Sequence, residues 1–536
     1  MASIVPANKR DSHTPEDVDV RMEAREPDAD PTLGIAVKLK SVAGKSLNKL
    51  VTLGDSVTHG FQSGAIYNTR LSWPKIVAYE AGCDASFRFP LYDGFGGLPL
   101  NIEYLLRSLE LKFGKEIDLL EMPHAAFELR HQMALIEDYW ESGPGAKAPI
   151  TNAIMHNLAV YGWDVRDALS RTAKNLRADM VKPKDNVFSQ VVENANIRAA
   201  LGVYGSMDDN DTVLDAAMKL GEQGALPGSG GNSQTPGIET LVVFLGANNV
   251  LGSVTQLKVN WSDTGYNKLG PAKNRYTVWR PTHFEAEYQL LVQQIEQVNA
   301  QHVILINVPH VTIAPVARGV QKQVEDTSRY FPYYTRPWIN DQQFNAAHDP
   351  KITENQARAI DSAIDQYNDV ISDAVRQQRK AGKDWYVLDI AGMLDRLAAR
   401  RYLSNILARP TWWTPYELPA ALKALQPEPN SRFFASGPLG RQDGGLFSLD
   451  GVHPTTITYG LIAQEVINIM QRANVQFYHR DGVTPRNGPA QVDFQRLIQL
   501  DSLISRPPTS LSGDMKIIGW LDQTADVFSK FNPFSR

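Results

Sequence analysis

Lys49-Leu50-Val51-Thr52-Leu53-Gly54-Asp55-Ser56-Val57-Thr58-His59-Gly60 decides how the rest of the chain is read. Its first half is a short apolar run without polar alternation, which suits a strand covered on both faces, as in a parallel sheet with crossover helices. Its second half breaks that run with Gly54 and sets a hydroxyl, Ser56, just past the strand's carboxyl end.

Working outward, four further apolar runs are expected as strands, at 153–160, 239–245, 302–308 and 385–390, each followed by a polar or Gly-containing turn. Together with 50–53 they predict a five-stranded parallel sheet in an α/β fold. Between the third and fourth runs, Phe284, Tyr288, Leu291 and Ile295 recur on one helical face, and Thr282 with Glu285 supplies a capping-box start. Thr455 or Thr456 is expected to cap a last helix that turns Leu461, Ile462, Val466, Ile469 and Met470 inward. In an open doubly wound sheet, ligands bind outside the carboxyl ends of the strands, so chemistry is sought in those turns.

The large insertions in this frame fall at about 84–150, 165–235, 312–355 and 398–445, and the fold is expected to carry them mainly as helices. The second ends in the Gly- and Ser-rich loop at 226–237. The last two are aromatic, with Tyr330, Phe331, Tyr333, Tyr334 and Trp338 in one and Trp412, Trp413, Tyr416, Phe433 and Phe434 in the other. They read equally as a lid or acyl-binding wall and as satellite core. Residues 1–45, rich in Asp, Glu, Lys, Pro and Ser, are expected to form a flexible arm. Residues 476–536 form a C-terminal extension, in which Ile517, Ile518, Leu521, Ala525 and Phe528 make a helical stripe expected to dock on the body.

Composition narrows the functions. Of 536 residues, 43% are hydrophobic and 21% charged, and the net charge of -5 has no basic stripe of the kind nucleic acid demands. Cys83 is the only cysteine, so neither an internal disulfide nor a Cys-based zinc site can form, and it reads as a small buried apolar group. The first twenty residues lack a secretory apolar core, and no stretch of about 18 apolar residues occurs anywhere. A cytoplasmic protein without a transmembrane segment is expected.

A serine becomes a nucleophile only beside a base, and the base needs an orienting acid. Phe447-Ser448-Leu449-Asp450-Gly451-Val452-His453-Pro454 supplies both three residues apart, just before the last helix. An oxyanion hole needs donors aimed at developing charge. The backbone N-H of Ser56, the turn at Tyr161-Gly162-Trp163 and the amide of Asn248 in Leu245-Gly246-Ala247-Asn248-Asn249 are the candidates. Gly94, Gly96 and Gly97 offer a competing glycine turn. His59 is a conceivable rival base, and His310 reads as a cleft residue or a satisfied polar loop residue. Gly44-Lys45-Ser46 lacks the earlier glycine of a phosphate-binding loop, having Leu39 there, and precedes a strand. The GxSxG elbow is absent at Ser56, because Thr58 occupies the second glycine position.

In order and in turn, Ser56, Gly162, Asn248 and His453 resemble the four blocks of the SGNH hydrolases, also called the GDSL esterase/lipase family. Gly54-Asp55-Ser56 is similar to the GDS block, Gly246 to Asn249 to the GxND block, and Asp450 to His453 to the DxxH block. Asn249 departs from the family's usual Asp, which puts that turn's local hydrogen bonds in question. The resemblance covers the scaffold between about 46 and 475. It implies a three-layer α/β/α flavodoxin-like fold and a serine hydrolase that cleaves a small-molecule, lipid or carbohydrate ester without metal or cofactor. Acyl transfer from the same acyl-enzyme, and a binding module that has lost activity, are the alternatives.

Overall fold

The structure, a computed structural model, describes residues 5–38, 42–114, 117, 120–147, 151–183, 191–205, 207–509 and 519. Its centre is a four-stranded parallel sheet in the order β1 (Asn48–Gly54), β2 (Ile238–Phe244), β3 (Ala300–Ile306), β4 (Trp385–Leu388). These strands are almost wholly buried, which is why their sequences read as apolar runs. The register pairs Gly54 with Phe244 and Val243 with Leu305, so the turns after β1, β2 and β3 emerge at one end of the sheet.

The run at 153–160 does not form the regular fifth strand expected of it. It lies along the free edge of β1, where the N-H groups of Leu158 and Val160 donate to Thr52 O and Gly54 O, and Thr52 N-H donates to His156 O. Only Thr52 and Asn157 form a bridge. The Asn157 side chain ties this segment to β1 and to the turn after it: its Oδ1 accepts from Thr52 Oγ1 and from Ala159 N-H, and its Nδ2 donates to Thr58 O at 3.0 Å.

The helices that position the site are α1 (Ser56–His59), α2 (Trp73–Glu80), α3 (Val165–Ser170), α4 (Pro281–Ile295), α5 (Glu354–Lys380), α6 (Ile390–Leu397), α7 (Thr456–Arg472) and α8 (Phe494–Leu500). Helix α2 packs on α7, and this pair reaches β1 and β4; α4 packs on α3 and α5, and α5 reaches β3 and β4. Phe284, Tyr288, Leu291 and Ile295 are all buried, as their spacing predicts.

The capping expected within each helix comes instead from distant chain. Helix α4 starts at Pro281 without the Thr282–Glu285 box; Thr282 Oγ1 and N-H both donate to Asp17 Oδ2, and Arg280 pairs with Asp17 at 2.9 Å. Burial pushes Asp17 up, but Thr282 and Arg280 outweigh it and hold the carboxyl below its usual value. Thr455 occupies the N-cap position of α7, yet its hydroxyl donates to Gly445 O, and Asp501 Oδ2 accepts from Ile457 N-H at 3.0 Å.

The described part of the N-terminal arm, expected to be loose, is therefore docked. Val18 is fully buried, Arg21 pairs with Asp369 at 2.7 Å, Arg25 lies 3.4 Å from Asp389, and Val387 N-H on the outer edge of β4 donates to Pro31 O. An edge covered in this way cannot pair with another chain. In the C-terminal extension, Leu497 of α8 packs against Gly460 of α7. The apolar stripe from Ile517 to Phe528 lies outside the described residues.

The first two insertions are mainly helical, with Ile102–Phe113 and Met122–Glu141 in one and Ala195–Tyr204 and Val213–Gly221 in the other. The later two are not. One holds a three-stranded antiparallel sheet (Arg318–Val320, Tyr333–Thr335, Ile352–Thr353) and the other an antiparallel hairpin (Ala435–Gly437, Gly440–Asp443). Half of the ten aromatics named there are core: Tyr330, Phe331, Tyr334, Trp413 and Phe434 are buried, and the others are half-buried. Among the described residues no helix is long and apolar enough to cross a membrane.

Asp501→Ala is expected to lower the unfolding free energy by about 1–2 kcal/mol, because α7 loses the acceptor for its first turn. Asp501→Asn, which keeps an acceptor oxygen, should lose less. Urea denaturation followed by circular dichroism measures both, and an unchanged midpoint in Asp501→Ala would contradict the capping role.

Candidate active site

Ser56 opens α1 directly after β1. Asp55 is the N-cap, its Oδ1 accepting from Val57 N-H at 3.0 Å. Gly54 is required by close approach, since a Cβ there would lie 2.3 Å from Thr58 Oγ1. Tight packing under the turn leaves Ser56 Oγ 2.9 Å from His453 Nε2, while His453 Nδ1 lies 2.9 Å from Asp450 Oδ2. Both neighbours fix the ring's tautomer: Nδ1-H donates to the carboxylate and Nε2 accepts from the hydroxyl. All three groups are buried.

Asp450 Oδ1 accepts the N-H groups of Val452 at 2.9 Å and His453 at 2.8 Å, and Oδ2 also accepts Gly64 N-H at 2.9 Å. Burial pushes Asp450 up, but the His453 charge and these hydrogen bonds outweigh it and hold the carboxyl below its usual value. Gly64 is aimed by Ser63, whose φ of 49° is unusual for a residue with a side chain; Ser63 N-H donates to Ser448 Oγ while the next N-H reaches Asp450. The Phe61 ring lies 4.5 Å from the His453 ring, tilted by 47°, and Tyr459 OH donates to Phe61 O. Asp55 differs from Asp450. Burial pushes it up to about 7, partly opposed by Val57 N-H and His453, and its Oδ2 has no hydrogen-bond partner among the described residues.

Gly162 and Asn248 line one small cavity together with Asp164, Asp167, Lys273 and Trp279. Ser56 is not in that lining; the two regions are joined through the backbone. Gly162 has φ 76°, a left-handed turn that suits glycine, and the Tyr161 N-H before it donates to His59 Nδ1 at 3.1 Å. Asn248 Nδ2 uses one hydrogen on Trp163 O at 2.8 Å, which leaves its second directable elsewhere. Asn249, where the resembling family has Asp, keeps an acceptor role, its Oδ1 taking Val165 N-H at 3.4 Å, but its buried Nδ2 has no partner among the described residues. The competing glycines are spent on packing, Gly94 against Trp140, Gly96 against Ile136 and Gly97 against Tyr67.

His59 is not a base in reach of Ser56. Its Nε2 bonds Tyr92 OH at 3.0 Å, and burial drives its pKa down to about 3. It is a positioning residue that ties the glycine turn to the nucleophile turn, as Asn157 does through Thr58 O. A histidine directly followed by glycine after the serine was the only hint of that role in the sequence. His310 is a satisfied buried group: Nδ1 faces Asp395 and Nε2 faces Asp365, each at 3.0 Å. Burial lowers its pKa, but Asp395 and Asp361 overcome this and raise it to about 10. Cys83 donates weakly to Ala78 O, and burial raises its thiol to about 11. Gly44-Lys45-Ser46 packs on the glycine-rich loop, Lys45 N-H donating to Ser229 Oγ. Among the described residues no group of three or more His, Cys, Asp or Glu is placed to hold a metal ion.

Because His310 has a folded pKa of about 10 against an ordinary 6.5, its stabilising charge is fully present below pH 6.5 and is lost as pH rises through about 10. The urea midpoint is expected to fall across that window in the wild type, and His310→Gln should flatten the decline. Equal slopes in the two proteins would contradict the charged assignment.

Searches against protein-family models and curated proteins find no match to the chain.

Proposed function

We propose that the chain is a serine esterase of the SGNH type. In this reading the scaffold is a three-layer, flavodoxin-like α/β/α fold, the segment at 153–160 serves as an irregular fifth edge strand, and the enzyme works in the cytoplasm. The observation that carries the proposal is the unbroken hydrogen-bond chain from Ser56 Oγ through His453 to Asp450, assembled from residues 397 positions apart.

As a substrate ester approaches, Ser56 Oγ attacks the carbonyl carbon and His453 Nε2 takes its proton. Asp450 stabilises the resulting imidazolium through Nδ1-H. The carbonyl oxygen gains the electron pair and is held by the N-H groups of Ser56 and Gly162 and the free hydrogen of Asn248 Nδ2. Collapse of the tetrahedral intermediate breaks the ester C-O bond, and His453 returns the proton to the departing alcohol. Water, deprotonated by the same imidazole, then releases the acid and restores Ser56. Burial of the triad strengthens each of these electrostatic steps, because the local dielectric is low.

Ser56→Ala is expected to lower kcat on short p-nitrophenyl esters by roughly 10⁴- to 10⁶-fold and to abolish stoichiometric labelling by a fluorophosphonate. Wild-type turnover in that variant would refute the nucleophile. Asn248→Ala should lose about 100- to 1,000-fold in kcat while Ser56 still takes the label. A kcat within a few-fold of wild type would remove Asn248 from the oxyanion hole.

A further inference from the structure

Beyond the triad residues themselves, positive charge is concentrated between the third and fourth insertions, and only part of it is paired. Two adjoining crevices share Arg400 and Phe331; the inner is lined by Arg318, Arg329, Arg400 and Arg401, and the outer adds Lys322 and Arg432. Asp326 is the one carboxylate in either lining. Arg318 is neutralised by Asp341 at 2.6 Å and Arg401 by Asp361 at 2.9 Å, whereas Arg432 reaches Asp443 only at 3.9 Å.

Arg329 and Arg400 have no ion pair among the described residues. Arg329 is 9% exposed; its guanidinium donates to Glu23 O at 3.2 Å and lies 4.9 Å over the Tyr330 ring. Burial pushes the Arg329 pKa down, but Tyr330, Tyr402 and Asp361 outweigh it and raise it, so the protein itself favours this charge. Arg400 donates to Gly319 O at 2.8 Å and lies 5.1 Å over Phe331, while its buried Nε has no partner among the described residues. Burial and the facing charges of Arg318 and Arg432 push the Arg400 pKa down, and Asp341 and Tyr334 oppose this only in part.

Arg400 is partly buried, and holding its enclosed Nε without a partner while like charges face the guanidinium is unfavourable unless an anion completes the arrangement. Its planar fork of N-H donors matches the oxygens of a phosphate. The outer crevice has a cavity volume of about 390 Å³, within the range of small-molecule sites. The inner crevice meets the loop of Asp450: Pro315 and Ala317 of its wall flank Val316, whose N-H donates to Gly451 O at 3.0 Å, one residue past Asp450.

We propose that the outer crevice is a phosphate-binding site, in which Arg400 and Arg432 grip the phosphate oxygens and Lys322 attracts it at the mouth. The site goes beyond the esterase reading and does not depend on it. Phosphate chemistry here is shared by two sources, a phosphate-bearing ester substrate and free phosphate.

Isothermal titration of the full-length protein with inorganic phosphate should show saturable binding. Arg400→Gln should weaken it about 10- to 100-fold, and Arg400→Lys, which keeps the charge but loses the fork, should weaken it less. Arg432→Gln, nearer the solvent, serves as the second variant if Arg400→Gln does not fold. No saturable binding to wild type, or binding unchanged in the folded variants, would overturn the proposal. Because titration needs no turnover, an inactive Ser56 leaves it unaffected. The source follows from KM in Arg400→Gln for two esters with the same acyl group: a rise only for the phosphate-bearing ester makes the phosphate part of the substrate. Phosphate binding with both KM values unchanged makes free phosphate the ligand.

Discussion

A carboxylate with no access to water is the constraint around which the site is arranged. Asp450 is fully buried, which pushes its pKa up, but the His453 charge and the hydrogen bonds from His453 and Val452 hold it below its usual value, and Gly64 N-H is the fourth donor pointed at it. A hydrogen bond to a charged group contributes about 1.5–3 kcal/mol, and leaving a buried charge short of partners costs more than that. Three of the four donors come from the loop that carries Asp450. The fourth comes from the other end of the chain, so satisfying one carboxylate brings the turn after β1 and the loop before α7 into register. The separation of Ser56 Oγ from His453 Nε2 is then a consequence of where Asp450 must sit.

Asp55 provides the contrast. It is as buried as Asp450, yet it has one backbone donor on Oδ1 and nothing on Oδ2 among the described residues, and its pKa rises to about 7. Two aspartates near one imidazole are thus separated by hydrogen bonding: Asp450 remains ionised across the neutral range, whereas Asp55 changes charge within it. The one with the full shell of donors is the one bonded to the ring.

Features written in consecutive residues could be read before the fold was known. Gly54-Asp55-Ser56 after an apolar run and Asp450 three residues before His453 are local patterns, as are the four regular strands and the helix through Phe284 and Tyr288. What could not be read depends on partners far along the chain. Thr282 and Glu285 have a capping-box pattern, but Asp17 from the docked arm offers Thr282 a better-placed carboxylate, and Arg280 pairs with the same group. Thr455 turns away to Gly445 O because Asp501 serves α7. The run at 153–160 has strand composition and bonds the edge of β1, yet it forms a single bridge there, at Thr52 and Asn157. The arm's polar composition predicted looseness because it counts apolar area and is blind to ion pairs such as Arg21 with Asp369.

The same limit applies to charge. Arg400 and Arg401 are neighbours in sequence with identical side chains, and nothing in the residues around them separates their roles. In the fold Arg401 turns inward to Asp361, Thr312 and Asp395, which also holds His310, forming a cluster whose charges are largely matched. Arg400 turns the other way, to a single carbonyl and a phenyl ring, with two more guanidinium groups facing it. One arginine is therefore explained by the protein's own carboxylates and the other is not. That unequal division between adjacent residues, beside the turn that holds Asp450, distinguishes a cation placed for an external anion from one placed to stabilise the fold.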